Sequence, residues 1–380
     1  AGADLDARAR VQALSSMLQF DDPINIQFTS GTTGRPKAAT LSHHNIVTHA
    51  YFAGLQMKLT HRDRMCIPVP MYHCFGMVLG TLCCVACGAT IVFASAGFEA
   101  DAAMCTVEAE RCTVLHGVPT MFIAELDTPG FSNRDLSSLR TGIIAGAPCP
   151  AELMKRIMGE MHMAQITIAY GMTETGPIST QTSVDDPVMR RVETVGRVLP
   201  HTEIKIVDAE GRITPRGIAG ELMTRGYCVM PKYWNDAEKT ADAINEARWI
   251  ASGDIAVVAD EGYFNIVGRI KDMLIRGGEN IFPREIEDFL YTHPAIEQVE
   301  VIGVPDTKYG EEVCAWIKLR EGESVTAENI REFCKGRIAH FKIPRYIRLV
   351  DSFPMTITGK VQKFVMREQM ALELARSEKV

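Results

Sequence analysis

Between residues 90 and 169 two textures alternate along the chain. Short β-branched apolar runs (90–93, 114–116, 141–145 and 165–169) are separated by longer stretches with helical spacing (99–111, 119–126 and 150–161). A brief apolar run bounded by turn residues reads as a buried strand, and its alternation with helices implies a largely parallel sheet covered on its faces. This pattern constrains the fold more than any other feature and sets the class as α/β. Toward the start of the chain the same reading gives a short helix at 7–18 and a strand at 24–29. A second helix at 42–57 follows, with Ser42 as its N-cap. From Val195 the texture turns β-rich, with strands at 203–207, 220–224, 255–258 and 263–267 between Gly and Asp turns. After Arg269 come helices at 284–293 and 326–337 and strands at 299–304 and 312–319. At 380 residues the chain exceeds what one core supports. We therefore expect a large α/β domain with a β-rich subdomain over 1–270, and a small mobile α+β domain over 271–380, with the boundary at Lys271.

Composition excludes several classes. Hydrophobic content of 46% and charged content of 23% are those of an ordinary globular protein. A net charge of −7 argues against general nucleic-acid affinity. The eleven cysteines are odd in number and irregularly spaced, so no disulfide framework is expected. Cys84 and Cys87 form a C-x-x-C inside an apolar run with no second ligand pair, and read as small core side chains. Residues 75–94 carry no charge over a length that could span a bilayer. Gly88 divides them into a helix-like half and a β-branched half, so a buried helix followed by a buried strand is expected instead, with no transmembrane segment. The first nineteen residues mix arginines with Asp4 and Asp6 and have no apolar h-region, unlike a secretory signal. His43, His44, His49 and His116 show no ligand spacing.

The chemistry is concentrated in Phe28-Thr-Ser-Gly-Thr-Thr-Gly-Arg-Pro-Lys-Ala-Ala39. Thr29, Ser30, Thr32 and Thr33 supply hydroxyls, Gly31 and Gly34 free backbone N–H groups to turn toward a ligand, and Lys37 adds a point charge. That combination suits a polyphosphate. It is not the common P-loop: counting from Gly31 the lysine is in register, but Pro36 replaces the second glycine and Ala38 the metal-binding hydroxyl.

This string resembles the phosphate loop of the adenylate-forming enzymes, which include acyl-CoA synthetases, luciferases and peptide-synthetase adenylation domains. Ala169-Tyr-Gly-Met-Thr-Glu174, Ser252-Gly-Asp254, Gly268-Arg-Ile-Lys-Asp272 and Pro354-Met-Thr-Ile-Thr-Gly-Lys360 match further motifs of that family in order. Tyr72-His-Cys-Phe-Gly76 and Arg276-Gly-Gly-Glu-Asn-Ile-Phe-Pro283 are most similar to the medium-chain fatty acyl-CoA synthetase branch. The resemblance covers about residues 22 to 370. It implies activation of a carboxylate by ATP, with Mg²⁺, and transfer to coenzyme A.

By that resemblance the segment from Thr29 to Lys37, including Arg35, holds the β- and γ-phosphates. Glu174 takes the magnesium and Thr173 a phosphate. Gly146-Ala147-Pro148 flanks the adenine with Tyr170, followed by Gly171, on its other face. Asp254 and Arg269 reach the ribose, His73 gates the acyl channel, and Lys360 bridges the substrate carboxylate and the α-phosphate. Lys271 is the hinge, and Gly277 and Gly278 belong to the loop that guides coenzyme A. Taken singly, Glu174 also reads as a helix-capping acid, His73 as a core histidine, and Gly277–Gly278 as a turn before the Pro283 helix. Ala38 and Lys232 stand where the family usually has glycine.

The family places a long N-terminal subdomain ahead of the phosphate loop, where only twenty-seven residues precede Phe28. The expectation is therefore a truncated large domain with apolar surface uncovered. A fatty-acid ligase of the cytoplasm or an organelle matrix is the leading reading, and a homo-oligomer is left open. The alternatives are an aryl- or amino-acid-activating relative, or a catalytically weak acyl- or nucleotide-binding protein.

Overall fold

Seven strands form the central sheet of the computed structural model, which describes residues 5–29, 36–147, 149–356 and 361–377. Their order is Thr90–Val92, Arg64–Cys66, Val114–Leu115, Thr141–Ile144, Gln165–Tyr170, Thr180–Gln181 and Arg197–Val198. The first five are parallel, and the last two joins are antiparallel. Successive strand residues point to opposite faces. Val114 and Ile143 accordingly enter one core with Ile46, Ala50 and Val78. Leu115 and Ile144 enter a second with Met104, Phe122 and Ile157. The expected helices at 99–111, 119–126 and 150–161 appear as Ala100–Ala109, Pro119–Leu126 and Ala151–Glu160.

The charge-free run over 75–94 is two helices and a strand, not a span. Phe75–Leu82 is π-helical and Cys83–Cys87 α-helical; Gly88 closes the turn at φ 71°, and Thr90–Val92 follows. No described helix is long and apolar enough to cross a membrane.

Several short strands were not legible in sequence, and two of them bear on the site and the core. Arg64–Cys66 lies between two longer apolar runs, and Lys37–Ser42 directly follows the phosphate loop. The latter pairs with both Pro23–Thr29 and Lys232–Tyr233 in a three-stranded sheet. It ends at Ser42, whose hydroxyl accepts from the Asn45 N–H at 3.2 Å and caps the His43–Gln56 helix as expected. Strand Pro23–Thr29 turns Asn25 and Gln27 toward Met77, so its apolar residues face outward. Phe28 is 74% exposed, and Ile24, Ile26, Val47, Tyr51, Leu55 and Val85 are also exposed.

The β-rich part is a four-stranded antiparallel sheet of Thr202–Val207, Gly220–Gly226, Ile250–Val258 and Phe264–Arg269. Beyond it, Ile296–Asp306 and Gly310–Leu319 form the long hairpin of a five-stranded sheet. Val299, Val301 and Val313 pack under the Pro283–Leu290 and Ala327–Cys334 helices. Ile302, Val304 and Trp316 pack under a helix not anticipated from sequence, Lys363–Ser377.

Candidate active site

Strand Gln165–Tyr170 ends in the middle of the large sheet, and residues 170–174 carry the centre of the site. Gly171 is required there by close contact: a Cβ would lie 2.3 Å from the Pro177 carbonyl oxygen. On one side of this segment the Tyr170 hydroxyl donates to Asp254 Oδ2 at 2.7 Å. Asp254 Oδ1 takes Arg269 Nε at 2.9 Å, a cross-strand pair fixed by the register of Ile250–Val258 against Phe264–Arg269. Burial and the neighbouring Asp254 carboxylate push the Tyr170 phenol well above its ordinary range, so it acts as a neutral donor. Asp254 is 6% exposed, held by one neutral and one cationic donor.

On the other side lies Glu174, in the short 3₁₀ turn Thr173–Thr175. The Tyr233 hydroxyl donates to Glu174 Oε1 at 2.8 Å, and Lys37 Nζ sits 5.1 Å from the centre of the same ring. Strand pairing produces this group: Tyr233 is opposite Ala39, which brings the lysine that leaves the phosphate loop alongside the magnesium candidate. Burial and Glu174 together push the Tyr233 phenol up, so it too donates as a neutral group.

The His43–Gln56 helix braces the turn from behind. Asn45 Nδ2 donates to the carbonyls of Tyr227 and Val229, and the Met230 N–H donates to the Glu174 carbonyl at 2.9 Å. One turn along, His49 Nε2 is 2.6 Å from the Ile178 carbonyl oxygen. Burial lowers His49 to about 4, so it is neutral near pH 7.

His73 is half-buried, and its Nδ1 accepts the Phe75 N–H at 3.1 Å. The adjacent Cys74 Sγ lies 3.6 Å from Thr173 Oγ1, which places the His73 turn against the site. Phe75 stacks on His116 at 5.6 Å. His116 in turn accepts the Ile143 N–H at Nδ1 and faces the Leu79 carbonyl with Nε2, both at 3.0 Å. Burial lowers His116 also to about 4. Strand Thr141–Ile144 delivers Gly146, at φ 90°, and Ala147, both exposed.

Some sequence candidates stand apart. Gly277 and Gly278 form a two-residue hairpin turn between Leu274–Arg276 and Glu279–Ile281, with φ of 59° and 92°. Lys271 is exposed in the 3₁₀ turn Ile270–Asp272. Thr29 Oγ1 is 3.5 Å from the Lys37 carbonyl oxygen, and Pro36 is exposed. Ser30, Gly31, Thr32, Thr33, Gly34, Arg35, Pro148 and Lys360 lie outside the described residues. Sequence reading missed Tyr233, Asn45 and His49. For Tyr233 the signal was its place beside Lys232, a departure from the family pattern.

A parallel α/β core with a β-rich second layer is the fold of the adenylate-forming enzymes. The AMP-binding enzyme family matches residues 3–234 and the AMP-binding enzyme C-terminal domain matches residues 285–360; the chain belongs to this family. It is 54% identical over 362 residues to the putative acyl-CoA synthetase YngI of Bacillus subtilis (strain 168), covering 95% of this chain and 66% of that protein. It is 47% identical over 379 residues to the mitochondrial medium-chain acyl-CoA ligase ACSF2 of Homo sapiens, covering 98% of this chain and 62% of that one. The chain thus spans a little under two thirds of these relatives. Among solved structures, ATP-bound MatB from Rhodopseudomonas palustris is 31% identical with a TM-score of 0.86, covering 93% of this chain and 69% of that one. An anthranilate CoA ligase, AuaEII, in complex with anthranoyl-AMP is 30% identical with a TM-score of 0.86, covering 94% and 69%.

Proposed function

We propose that the chain is an acid–thiol ligase that joins a fatty acid to coenzyme A through an acyl-adenylate, releasing AMP and pyrophosphate, with medium-chain acids as its substrate class. One observation carries this reading. In a single segment Tyr170 bonds Asp254, a carboxylate able to bind a diol, and four residues on Glu174 is a second carboxylate, bonded by Tyr233, over whose ring Lys37 lies. A ribose and a polyphosphate present those two chemistries at the two ends of one nucleotide.

In the first step a carboxylate oxygen of the acid attacks the α-phosphorus; the new P–O bond forms as the bond to the β-phosphate bridging oxygen breaks. Asp254 accepts from the ribose hydroxyls with the lone pairs left by Tyr170 and Arg269, since each carboxylate oxygen has two. Tyr170, Gly146, Ala147 and Pro148 enclose the adenine. Lys37 and the N–H groups of Ser30–Arg35 draw negative charge toward the leaving group, and Thr173 holds a phosphate oxygen. Glu174 fits a magnesium ion: it is a hard oxygen donor that keeps Oε2 clear of Tyr233, next to the lysine that would meet the same phosphates. Bound there, the metal supplies charge neutralisation of the phosphates. Lys360 offsets the repulsion between the carboxylate and the α-phosphate, and His73 lines the acyl entry.

In the second step the 271–380 domain turns about Lys271, withdraws Lys360 and brings the Gly277–Gly278 turn toward the thiol of coenzyme A. The sulfur displaces AMP from the acyl carbon. The mitochondrial and bacterial relatives support a place in an organelle matrix or the cytoplasm. The test is to incubate the chain with ATP, Mg²⁺, octanoate and coenzyme A and to separate the nucleotides. Octanoate-dependent AMP and pyrophosphate support the reading, whereas ADP and phosphate overturn it.

A further inference from the structure

Asp254 sits at an irregularity in the β-rich sheet. Where strand Gly220–Gly226 pairs with Ile250–Val258, Glu221 stands opposite Ile255 and Met223 opposite Ala251. Two steps along the first strand therefore match four along the second. Ser252, Gly253 and Asp254 all stand against Leu222, with regular pairing resumed on either side at Ala251 and Ile255. A bulge of this kind takes residues out of the ladder and re-aims a side chain. Here the residue at its downstream end is the carboxylate that Tyr170 and Arg269 hold at 2.7 and 2.9 Å.

Backbone groups taken out of a ladder need other partners, and two side chains supply them. The Ser252 hydroxyl donates to the Leu222 carbonyl at 2.7 Å and accepts the Asp254 N–H at 3.1 Å. Glu221 Oε1 accepts the Gly253 N–H at 3.1 Å from the neighbouring strand. A carboxylate makes the stronger kind of bond to a backbone N–H. Gly253 itself lies at φ 71°, where a side chain would be strained. With the N–H groups of residues 253 and 254 both held, the two peptide planes ahead of Asp254 are fixed. Its Cα–Cβ bond then leaves the backbone in one direction.

We propose that Ser252 and Glu221 are positioning residues: they hold the bulge and so aim the Asp254 carboxylate, which on the reading given above accepts the ribose diol. Both act through the backbone of residues 252–254 and neither supplies a group to the nucleotide. Ser252→Thr keeps the hydroxyl on a residue suited to a strand, and Glu221→Gln keeps an Oε1 acceptor. The two alanine variants remove the bonds.

Two measurements decide the matter. The first compares the affinities for ATP and for 2′,3′-dideoxy-ATP by calorimetry, which isolates the diol. Wild type should prefer ATP by about tenfold or more, the usual worth of hydrogen bonds to a charged group. Ser252→Ala and Glu221→Ala should bring that preference down to about twofold while binding the dideoxy nucleotide as wild type does. Ser252→Thr and Glu221→Gln should keep it. An alanine variant that retains the preference, one that weakens both nucleotides equally, or a conservative variant that loses the preference overturns the proposal. Asp254→Asn is the reference. Should it leave the preference intact, the reading of Asp254 fails, and the second measurement still decides whether these side chains hold the bulge. That measurement is amide hydrogen exchange. In Ser252→Ala, exchange over 252–256 should rise about tenfold, the usual effect of losing one hydrogen bond, with strands 202–207 and 264–269 unchanged. No rise, or an equal rise across all four strands, overturns it.

Discussion

Replacing Glu125 with Met should stabilise the protein, and by more at pH 8 than at pH 5. Glu125 sits in the Pro119–Leu126 helix at 0% exposure, and neither carboxyl oxygen has a hydrogen-bond partner. Burial alone pushes its carboxyl well above the usual range. An unsatisfied buried polar group costs about 1–3 kcal/mol, and Met fills similar volume without one. At about 2–4 °C per kcal/mol for a domain of this size, the midpoint should rise by roughly 2–12 °C. The pH dependence has a definite sign. Below an unfolded-state pKa of about 4.3 both states hold the proton, and titration adds no cost. As pH rises past that value the unfolded chain releases a proton that the folded chain keeps, so wild-type stability falls until pH passes the raised folded value. The Met variant lacks this slope. Urea unfolding of both proteins at pH 5 and pH 8 measures the difference, with Glu125→Gln as a control that removes titration but keeps a polar head. A Met variant that is less stable at pH 8, or an advantage independent of pH, would refute the reasoning.

Three further outcomes are expected. Arg140 makes a bidentate pair with Asp63, at 3.0 and 2.8 Å, and also reaches the Met57 and Lys58 carbonyls. Arg140→Ala should therefore cost about 3–5 kcal/mol, the typical cost of stranding a buried charge. Burial acts to raise Asp63, but Arg140 and Thr113 hold it below its usual value. The wild-type advantage should accordingly shrink as pH falls through the carboxylate range, read by chemical melts. Lys360→Ala should slow adenylation by about 10²–10³, the usual cost of one transition-state donor, with thioester formation from supplied acyl-adenylate nearly intact. Equal losses would point to a folding defect. Asp254→Asn keeps the shape but removes the charge that faces Arg269, and should raise the KM for ATP at least tenfold; an unchanged KM in steady-state assays would remove Asp254 from the nucleotide site.

Much of this protein is set by local sequence. Short apolar runs alternating with helical stretches dictate the parallel core, because a strand covered on both faces buries every side chain; Val114 and Leu115 enter opposite cores for that reason. Ser42 announces its helix through the hydroxyl that caps it, and Gly277–Gly278 announce a turn, which the structure closes as a hairpin with positive φ at both positions. Family motifs point to Glu174, Asp254 and Tyr170 before any coordinates. What sequence leaves open is pairing at a distance. Strands Lys37–Ser42 and Lys232–Tyr233 are too short and mixed to read alone, yet their pairing places Tyr233 between Lys37 and Glu174. The outward turn of Ile24, Ile26 and Phe28 is likewise invisible in an apolar alternation, which specifies two faces but not which one meets the core. Nor does local spacing reveal that Lys363 would find two carboxylates, Glu287 and Glu300, from elements 63 and more residues away. Turns and periodicities are decided by neighbours along the chain, whereas the partners of a buried charge are decided only when the chain has closed around it.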